Sequence, residues 1–153
     1  LTADIAPAGP AAPSLSAAKT EAVPGAADYA SAVKVTRLLK TQTDSAGQRL
    51  VYPTDGQAEV TAVHVEIAPG GRTGWHVHPL PCVGYMLEGE LQVTLIDGRI
   101  HTVKAGEALM EMVNYEHEGL NPGTTPAKLV MIVIGTEGKA FTVKTPGPVA
   151  PAK

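Results

Sequence analysis

The sequence predicts an all-β fold, a sandwich or a barrel, formed by a single domain. Short runs rich in Val, Ile, Leu and Thr recur at roughly ten-residue spacing, and Gly or Pro turn signals separate them. The length of 153 residues suits one domain. Because aromatic residues make up only 4% of the chain, aliphatic side chains and methionines must build the core. Residues of this kind favour strands.

The predicted strands occupy the middle of the chain. They are residues 33–40, 57–67, 83–87, 90–96, 99–103, 107–113, 127–134 and 140–144. The dipeptide Asp97-Gly98 is a tight hairpin turn between the fourth and the fifth of these runs. No helical periodicity is evident outside residues 26–32, where a turn or two of helix can form.

The two ends of the chain differ from its middle in composition. Residues 1–27 are rich in Ala and Pro and lack an apolar pattern, so we expect a mobile arm there. Residues 28–145 are predicted to form the barrel, and residues 146–153 a flexible tail. An Ala- and Pro-rich start often follows a cleaved export signal, which favours a periplasmic or secreted location over a cytoplasmic one.

Composition argues against several classes of function. The formal net charge of −3 provides no basic surface for nucleic acid. The sequence has no run of about 18 apolar residues, so membrane insertion is not expected. Cys82 is the only cysteine, which excludes an intramolecular disulfide. No Ser-His-Asp set, pair of catalytic carboxylates or phosphate-binding loop stands out either.

Three histidines carry the chemistry that we predict. Residues two apart in a strand point to the same face, so the imidazoles of His76 and His78 can converge on one ion. His117, which follows the run 107–113, is the candidate for a third ligand from another strand. Three imidazoles suit one divalent transition-metal ion (Fe, Cu, Mn, Ni or Zn) and leave positions open for water or substrate. His64 and His101 are not predicted to be ligands.

An isolated His-x-His pair is a weak signal, but its surroundings strengthen it. Residues 70–89 resemble the first motif of the cupin superfamily, in which a glycine precedes the two histidines and a second glycine ends the motif. The positions in register with that motif are Gly70, His76, His78 and Gly89. The resemblance implies a metal site on the two histidines.

The second cupin motif is also present, at residues 98–121. Its matching positions are Gly98, Gly106, His117 and Asn121, while Lys104 stands where the motif usually has proline. The resemblance covers about residues 33–142, and it is specific because two separated motifs match in order and spacing. It implies a double-stranded β-helix of the jelly-roll type, that is, a small single-domain cupin barrel.

One departure from the family pattern is large. Cys82 occupies the slot that usually holds a glutamate ligand. Three interpretations are open: Cys82 coordinates the ion as a thiolate, it is a small apolar filler, or Glu111 or Glu116 supplies the carboxylate from the second motif. Met86 shares a strand face with Cys82 by alternation, which is typical either of a soft, copper-favouring site or of ordinary core packing.

The functional hypothesis follows from the predicted metal site. The leading hypothesis is a metal-dependent enzyme that acts on a small organic molecule, with a dioxygenase-type oxidoreductase as the first choice. The alternative is a non-enzymatic exported cupin that binds a metal, such as copper, or a small ligand.

Because exposed sheet edges need cover, and because small cupins commonly dimerise, we also expect a homodimer.

Overall fold

The computed structural model describes residues 23–25 and 31–149, and within them every regular element is a β-strand. The nine strands are β1 (Ala58–Ile67), β2 (His76–Val77), β3 (Cys82–Glu88), β4 (Glu90–Leu95), β5 (Ile100–Lys104), β6 (Ala108–Met110), β7 (His117–Leu120), β8 (Ala127–Thr136) and β9 (Val143–Lys144). The predicted all-β class is therefore confirmed. None of the described residues forms a helix long and apolar enough to cross a membrane.

The strands form two antiparallel sheets. The four-stranded sheet has the order β1-β8-β3-β6, and the five-stranded sheet has the order β5-β4-β7-β2-β9. Apart from the β4–β5 hairpin, neighbours in each sheet are not consecutive in the chain, as in the ten-residue pairing of β1 with β8. This crossing between sheets is the arrangement of a double-stranded β-helix, as predicted.

The core lies between the sheets, because alternate residues of the central strands are buried. In β4 the buried residues are Leu91, Val93 and Leu95, and the residues between them are partly exposed. In β8 the same period of two buries Ala127, Leu129, Met131 and Val133. Alternation of this kind presents one apolar face of each sheet to the other.

Seven of the eight predicted runs overlap an observed strand, whereas one run forms no strand and the short strands β2 and β7 were not among the predicted runs. Residues 33–40 do not form a strand, and most of their side chains are exposed, so that prediction is wrong. The short strand β7, which contains His117, was not predicted, because His-Glu-Gly-Leu has too few apolar residues to stand out. The hairpin at Asp97-Gly98 is present, with Gly98 at a φ of 87° that favours glycine.

Asn121 fastens the end of β7 to the end of β1. Its buried side-chain amide donates hydrogen bonds to the carbonyl oxygens of Ile67, Ala68 and Thr125 at 2.8–3.2 Å. A buried amide that satisfies three carbonyls holds the backbone in place rather than performing chemistry. Asn121, one of the positions that match the second cupin motif, therefore has a structural role in this chain.

The C-terminal segment lies against the five-stranded sheet. The backbone N–H of Thr145 donates to the Trp75 carbonyl at 3.0 Å, and Gly147 is buried directly against the Trp75 ring. The predicted tail starts at Pro146, so its first residues contact the barrel, while residues 150–153 lie outside the described residues. The predicted arm at residues 1–27 also lies outside them, apart from a turn at residues 23–25.

Candidate metal centre

Strands β2 and β7 bring three histidines together. His76 lies in β2 directly opposite His117 in β7, and His78 points to the same side as His76 because it is two residues further on. The ligating nitrogens of the three imidazoles lie within 4.8 Å of one another. Their ring centroids are 4.4–5.1 Å apart. The alternation of side chains along a strand predicted that the imidazoles of His76 and His78 converge, and the imidazole of His117 lies in the same cluster.

Each of the three imidazoles is held by the backbone through its Nδ1 atom. Nδ1 of His76 lies 2.7 Å from the Gly74 carbonyl oxygen, Nδ1 of His78 lies 2.7 Å from that of Phe141, and Nδ1 of His117 lies 2.8 Å from that of Tyr115. A carbonyl oxygen only accepts, so Nδ1 must carry the proton in all three rings. In a neutral ring, Nε2 then presents a lone pair, which is the form that binds a metal ion.

Burial keeps two of these rings neutral. The pKa of His78 is lowered to about 4. Desolvation is the main cause, the hydrogen bond to Phe141 opposes it, and the nearby His76 adds a smaller lowering effect. Desolvation likewise lowers the pKa of His117 to about 4. At neutral pH both rings are therefore unprotonated at Nε2, so a metal ion does not have to displace a proton there.

A buried glutamate lies beside the three histidines. Glu111, immediately after β6, has Oε2 at 3.6 Å from Nε2 of His117. Neither of these atoms has a hydrogen-bond partner, although both are buried. Desolvation raises the pKa of Glu111 to about 7. Because His117 is neutral, the contact is not an ion pair.

Cys82, the fourth predicted metal ligand, is placed differently. Its thiol is fully buried and donates a hydrogen bond to the Leu80 carbonyl oxygen at 3.3 Å. Desolvation raises its pKa to about 12, and the neighbouring Glu111 adds to that effect. Among the residues that the structure describes, the group whose donor atoms all lie within 4.8 Å of one another consists of His76, His78 and His117 and includes neither Cys82 nor Glu111.

The remaining candidates from the sequence lie away from the cluster. Met86 is buried and belongs to the hydrophobic core between the sheets. Glu116 faces the C-terminal segment, where its Oε2 accepts a hydrogen bond from the Gly147 N–H at 3.2 Å. His64 is exposed on β1, and His101 is half-buried on β5. Of the two glutamates weighed from the sequence, only Glu111 reaches the site.

The histidines and Glu111 line one small internal cavity of about 40 Å³. Since one water needs about 10–15 Å³, this space holds roughly two or three. Apart from these four residues and Thr73, the lining is Val65, Ile67, Leu91, Val93, Gly119, Leu129 and Met131. Polar side chains from both sheets therefore meet in an otherwise apolar space, and no Lys or Arg is among the lining residues that the structure describes.

The donor set fits a transition-metal ion. Three imidazoles whose Nδ1 atoms are held by backbone carbonyls and whose Nε2 atoms share one space are ligands that Fe, Cu, Mn, Ni and Zn accept. Nε2 of His117 is buried without a hydrogen-bond partner, which is consistent with a ligand atom for such an ion. The cluster therefore suggests a transition metal without selecting which one.

Comparison with known proteins identifies the fold family. The family model named Cupin domain matches residues 63–133, which include all three histidines and Glu111. This match covers just under half of the chain and, together with the two-sheet topology, supports the predicted resemblance to the cupin superfamily. No curated protein matches the sequence significantly.

Solved structures share the barrel at low sequence identity. Oxalate decarboxylase from Lactobacillus farciminis, in a formate complex, is 22% identical, with a TM-score of 0.50 over 57% of this chain and 27% of that one. The DMSP lyase DddQ from Ruegeria pomeroyi is 19% identical, with a TM-score of 0.50 over 56% of this chain and 43% of that one. An uncharacterized conserved protein with a double-stranded β-helix domain from Klebsiella pneumoniae is 23% identical, with a TM-score of 0.48 over 61% of this chain and 91% of that one. These likenesses concern the fold.

Proposed function

We propose that this cupin is a metal-dependent oxidoreductase of the dioxygenase type that acts on a small organic molecule. The observation that carries the proposal is the set of three buried imidazoles whose Nδ1 atoms are all held by backbone carbonyls. That arrangement leaves three Nε2 lone pairs directed into one cavity. A prearranged donor set of this kind supports a catalytic ion better than a surface pair of histidines would.

His76, His78 and His117 would hold the ion, which when bound supplies Lewis-acid or dioxygen-binding chemistry. The protein's own contribution is to orient the imidazoles and to keep bulk water away. Buried aliphatic residues on both sheets, such as Leu91, Val93 and Leu129, perform the second task. Exclusion of water strengthens every electrostatic interaction within the cavity.

The cavity wall also indicates the substrate class. Its apolar lining and small volume favour an uncharged molecule. Only the reacting end of that molecule would fit into the space beside the histidines. An anionic substrate would bury its charge without a Lys or Arg among the described lining residues, which is costly unless the ion neutralises it. We therefore propose a small neutral substrate.

The test combines metal content with oxygen consumption. The full chain is loaded with Fe(II) without air, and its iron content and oxygen uptake are measured with a panel of small uncharged organic molecules. Alanine in place of His76, His78 or His117 should reduce both iron content and oxygen uptake, whereas His64→Ala, an exposed histidine on β1, should retain them. Retention of iron by all three site variants would contradict the metal site. Iron binding without oxygen uptake would favour the alternative of a non-enzymatic metal-binding cupin.

We also propose that the protein forms a homodimer. Val60 on β1 is 68% exposed and Ile132 on the adjacent β8 is 41% exposed, both on the outer face of the four-stranded sheet. Neighbouring exposed aliphatic side chains on a sheet face are typical of an association surface. Light scattering should give the mass of a dimer, and Val60→Glu combined with Ile132→Glu should give that of a monomer. An unchanged mass in the double variant would place the interface elsewhere.

A further inference from the structure

The contact between Glu111 and His117 is unusual for two buried groups. Nδ1 of His117 donates to the Tyr115 carbonyl, so its Nε2 is a lone-pair acceptor. Oε2 of a Glu111 carboxylate is also an acceptor, and it faces Nε2 at 3.6 Å. Two acceptors that face each other in an apolar cavity, each without a hydrogen-bond partner, need a positive centre between them, which is either a proton or a metal ion.

The separation fits one shared metal ion. Two donor atoms that each lie about 2.1 Å from the same ion are roughly 3.0 Å apart at a right angle and roughly 3.4 Å apart at a tetrahedral angle. The observed 3.6 Å is close to these values. A direct hydrogen bond is a poorer explanation, because N···O separations in hydrogen bonds are about 2.7–3.2 Å.

The position of Glu111 in the sheet explains how it reaches the site. In the β3–β6 pair, Val83 lies opposite Met110, and the N–H of Glu111 donates to the Cys82 carbonyl at 2.9 Å. Glu111 therefore continues the register as the cross-strand neighbour of Cys82. Cross-strand neighbours share a sheet face, with Cβ atoms about 4.5–5.5 Å apart. A carboxylate at residue 111 can thus reach the space that a longer side chain at residue 82 would otherwise occupy.

The residues around Glu111 leave room for its carboxylate. Cys82 is short, and Gly84, two residues further along the same face of β3, has no side chain. A Cβ atom at Gly84 would lie 3.8 Å from Oε1 of Glu111, in ordinary van der Waals contact, so a larger side chain there would compete with the carboxylate for space. The space required by the glutamate on β6 is therefore provided by two small residues on β3.

We propose that Glu111 is a fourth metal ligand, which replaces from the neighbouring strand the glutamate that the cupin motif usually has at the position of Cys82. The inference rests on the proposed metal site and goes beyond the three histidines. A set of three imidazoles and one carboxylate leaves two positions open on a six-coordinate ion. Substrate and oxygen would have access to those positions from the cavity.

Binding of Co(II) to the metal-free full chain tests this proposal, because Co(II) reports both affinity and coordination through its visible absorption. Glu111→Gln keeps the shape of the side chain and removes its charge. We expect this change to weaken Co(II) binding by at least about 100-fold, the upper end of what loss of an outer-shell partner costs, and to alter the visible bands. Cys82→Glu added to Glu111→Gln should restore much of the affinity by returning a carboxylate to the usual slot.

Glu116→Gln is the matched control, since Glu116 lies one residue from His117 and faces the C-terminal segment instead of the cavity. It should bind Co(II) as the unaltered protein does. Unchanged visible bands in Glu111→Gln, together with a loss of affinity below about 10-fold, would overturn the ligand role while leaving the three-histidine site intact. Failure of the unaltered protein to bind Co(II) would instead contradict the metal site itself.

A crystal structure of the unaltered protein with Co(II) makes the test independent of how the variants fold. A carboxylate oxygen of Glu111 within about 2.2 Å of the ion, the usual metal–carboxylate distance, would support the proposal. An ion held by the three histidines with neither carboxylate oxygen of Glu111 at coordination distance would refute it.

Discussion

The two strand pairs that meet at the cavity hold their polar groups in different ways. On the side of β2 and β7, the three imidazoles are each tied to a backbone carbonyl through Nδ1. On the side of β3 and β6, Oε2 of Glu111 has no hydrogen-bond partner, and the space around the carboxylate is set by the small residues Cys82 and Gly84. The imidazoles are therefore oriented by hydrogen bonds, whereas the Glu111 carboxylate is positioned by packing.

This difference explains which part of the site tolerates change in sequence. An imidazole that is oriented through its own Nδ1 needs a particular residue at a particular strand position. A carboxylate that is positioned by the shape of the cavity can come from either of two neighbouring strands, provided that its cross-strand neighbour is small. The histidine positions therefore follow the cupin motif, whereas the glutamate position does not.

The largest effect is expected from His117→Ala, because His117 contacts both sides of the site. The substitution removes one imidazole and the partner of Glu111 together. Metal affinity should fall by more than the roughly 100-fold that bounds outer-shell effects. Isothermal titration with Co(II) measures the change, and a decrease smaller than that of Glu111→Gln would mean that the carboxylate side dominates binding.

Removal of the metal should lower thermal stability. An ion that binds the folded state and is present at about 100 times its dissociation constant stabilises that state by about 2.7 kcal/mol. A chelator should therefore lower the melting temperature of the loaded protein by several degrees in a calorimetric scan. His117→Ala serves as the comparison, since a chelator should leave its melting temperature unchanged.

A smaller effect is expected when the space on the carboxylate side is filled. A Cβ atom at Gly84 would lie 3.6 Å from Leu129 and 3.8 Å from Glu111, so Gly84→Ala should be tolerated. Gly84→Val adds further methyl groups against these neighbours and should reduce the free energy of unfolding by about 1–3 kcal/mol. Urea denaturation measures the loss. Metal affinity should fall as well, and an unchanged affinity would show that Glu111 does not need this space.

The smallest effect is expected at Cys82. Its thiol donates to Leu80 and has a pKa raised to about 12 by burial, so it should remain a protonated thiol in the metal-free protein. Cu(II) loading should then give only the weak visible bands of nitrogen and oxygen ligation, and Cys82→Ser should leave both the spectrum and the affinity nearly unchanged. An intense sulfur-to-copper band that disappears in Cys82→Ser would establish Cys82 as a ligand.

The fold was accessible from the sequence because its signals are local. Turn residues such as Asp97-Gly98 and the alternating runs that became β4 and β8 predict strands without knowledge of their partners. Residues 33–40 show the limit of that reasoning. They have the composition of a strand but make no ladder, since strand formation depends on tertiary context as well as on propensity.

The same distinction applies to the metal centre. The period of two along a strand places His76 and His78 on one face, which the sequence determines by itself. Whether Glu111 or Glu116 faces the ion depends instead on the register between β3 and β6 and on the contact of Glu116 with Gly147. Register joins segments that are far apart in the chain and is set by how the buried faces of both sheets pack. For that reason only the tertiary structure placed Glu111 beside Cys82 and left the thiol outside the three-histidine group.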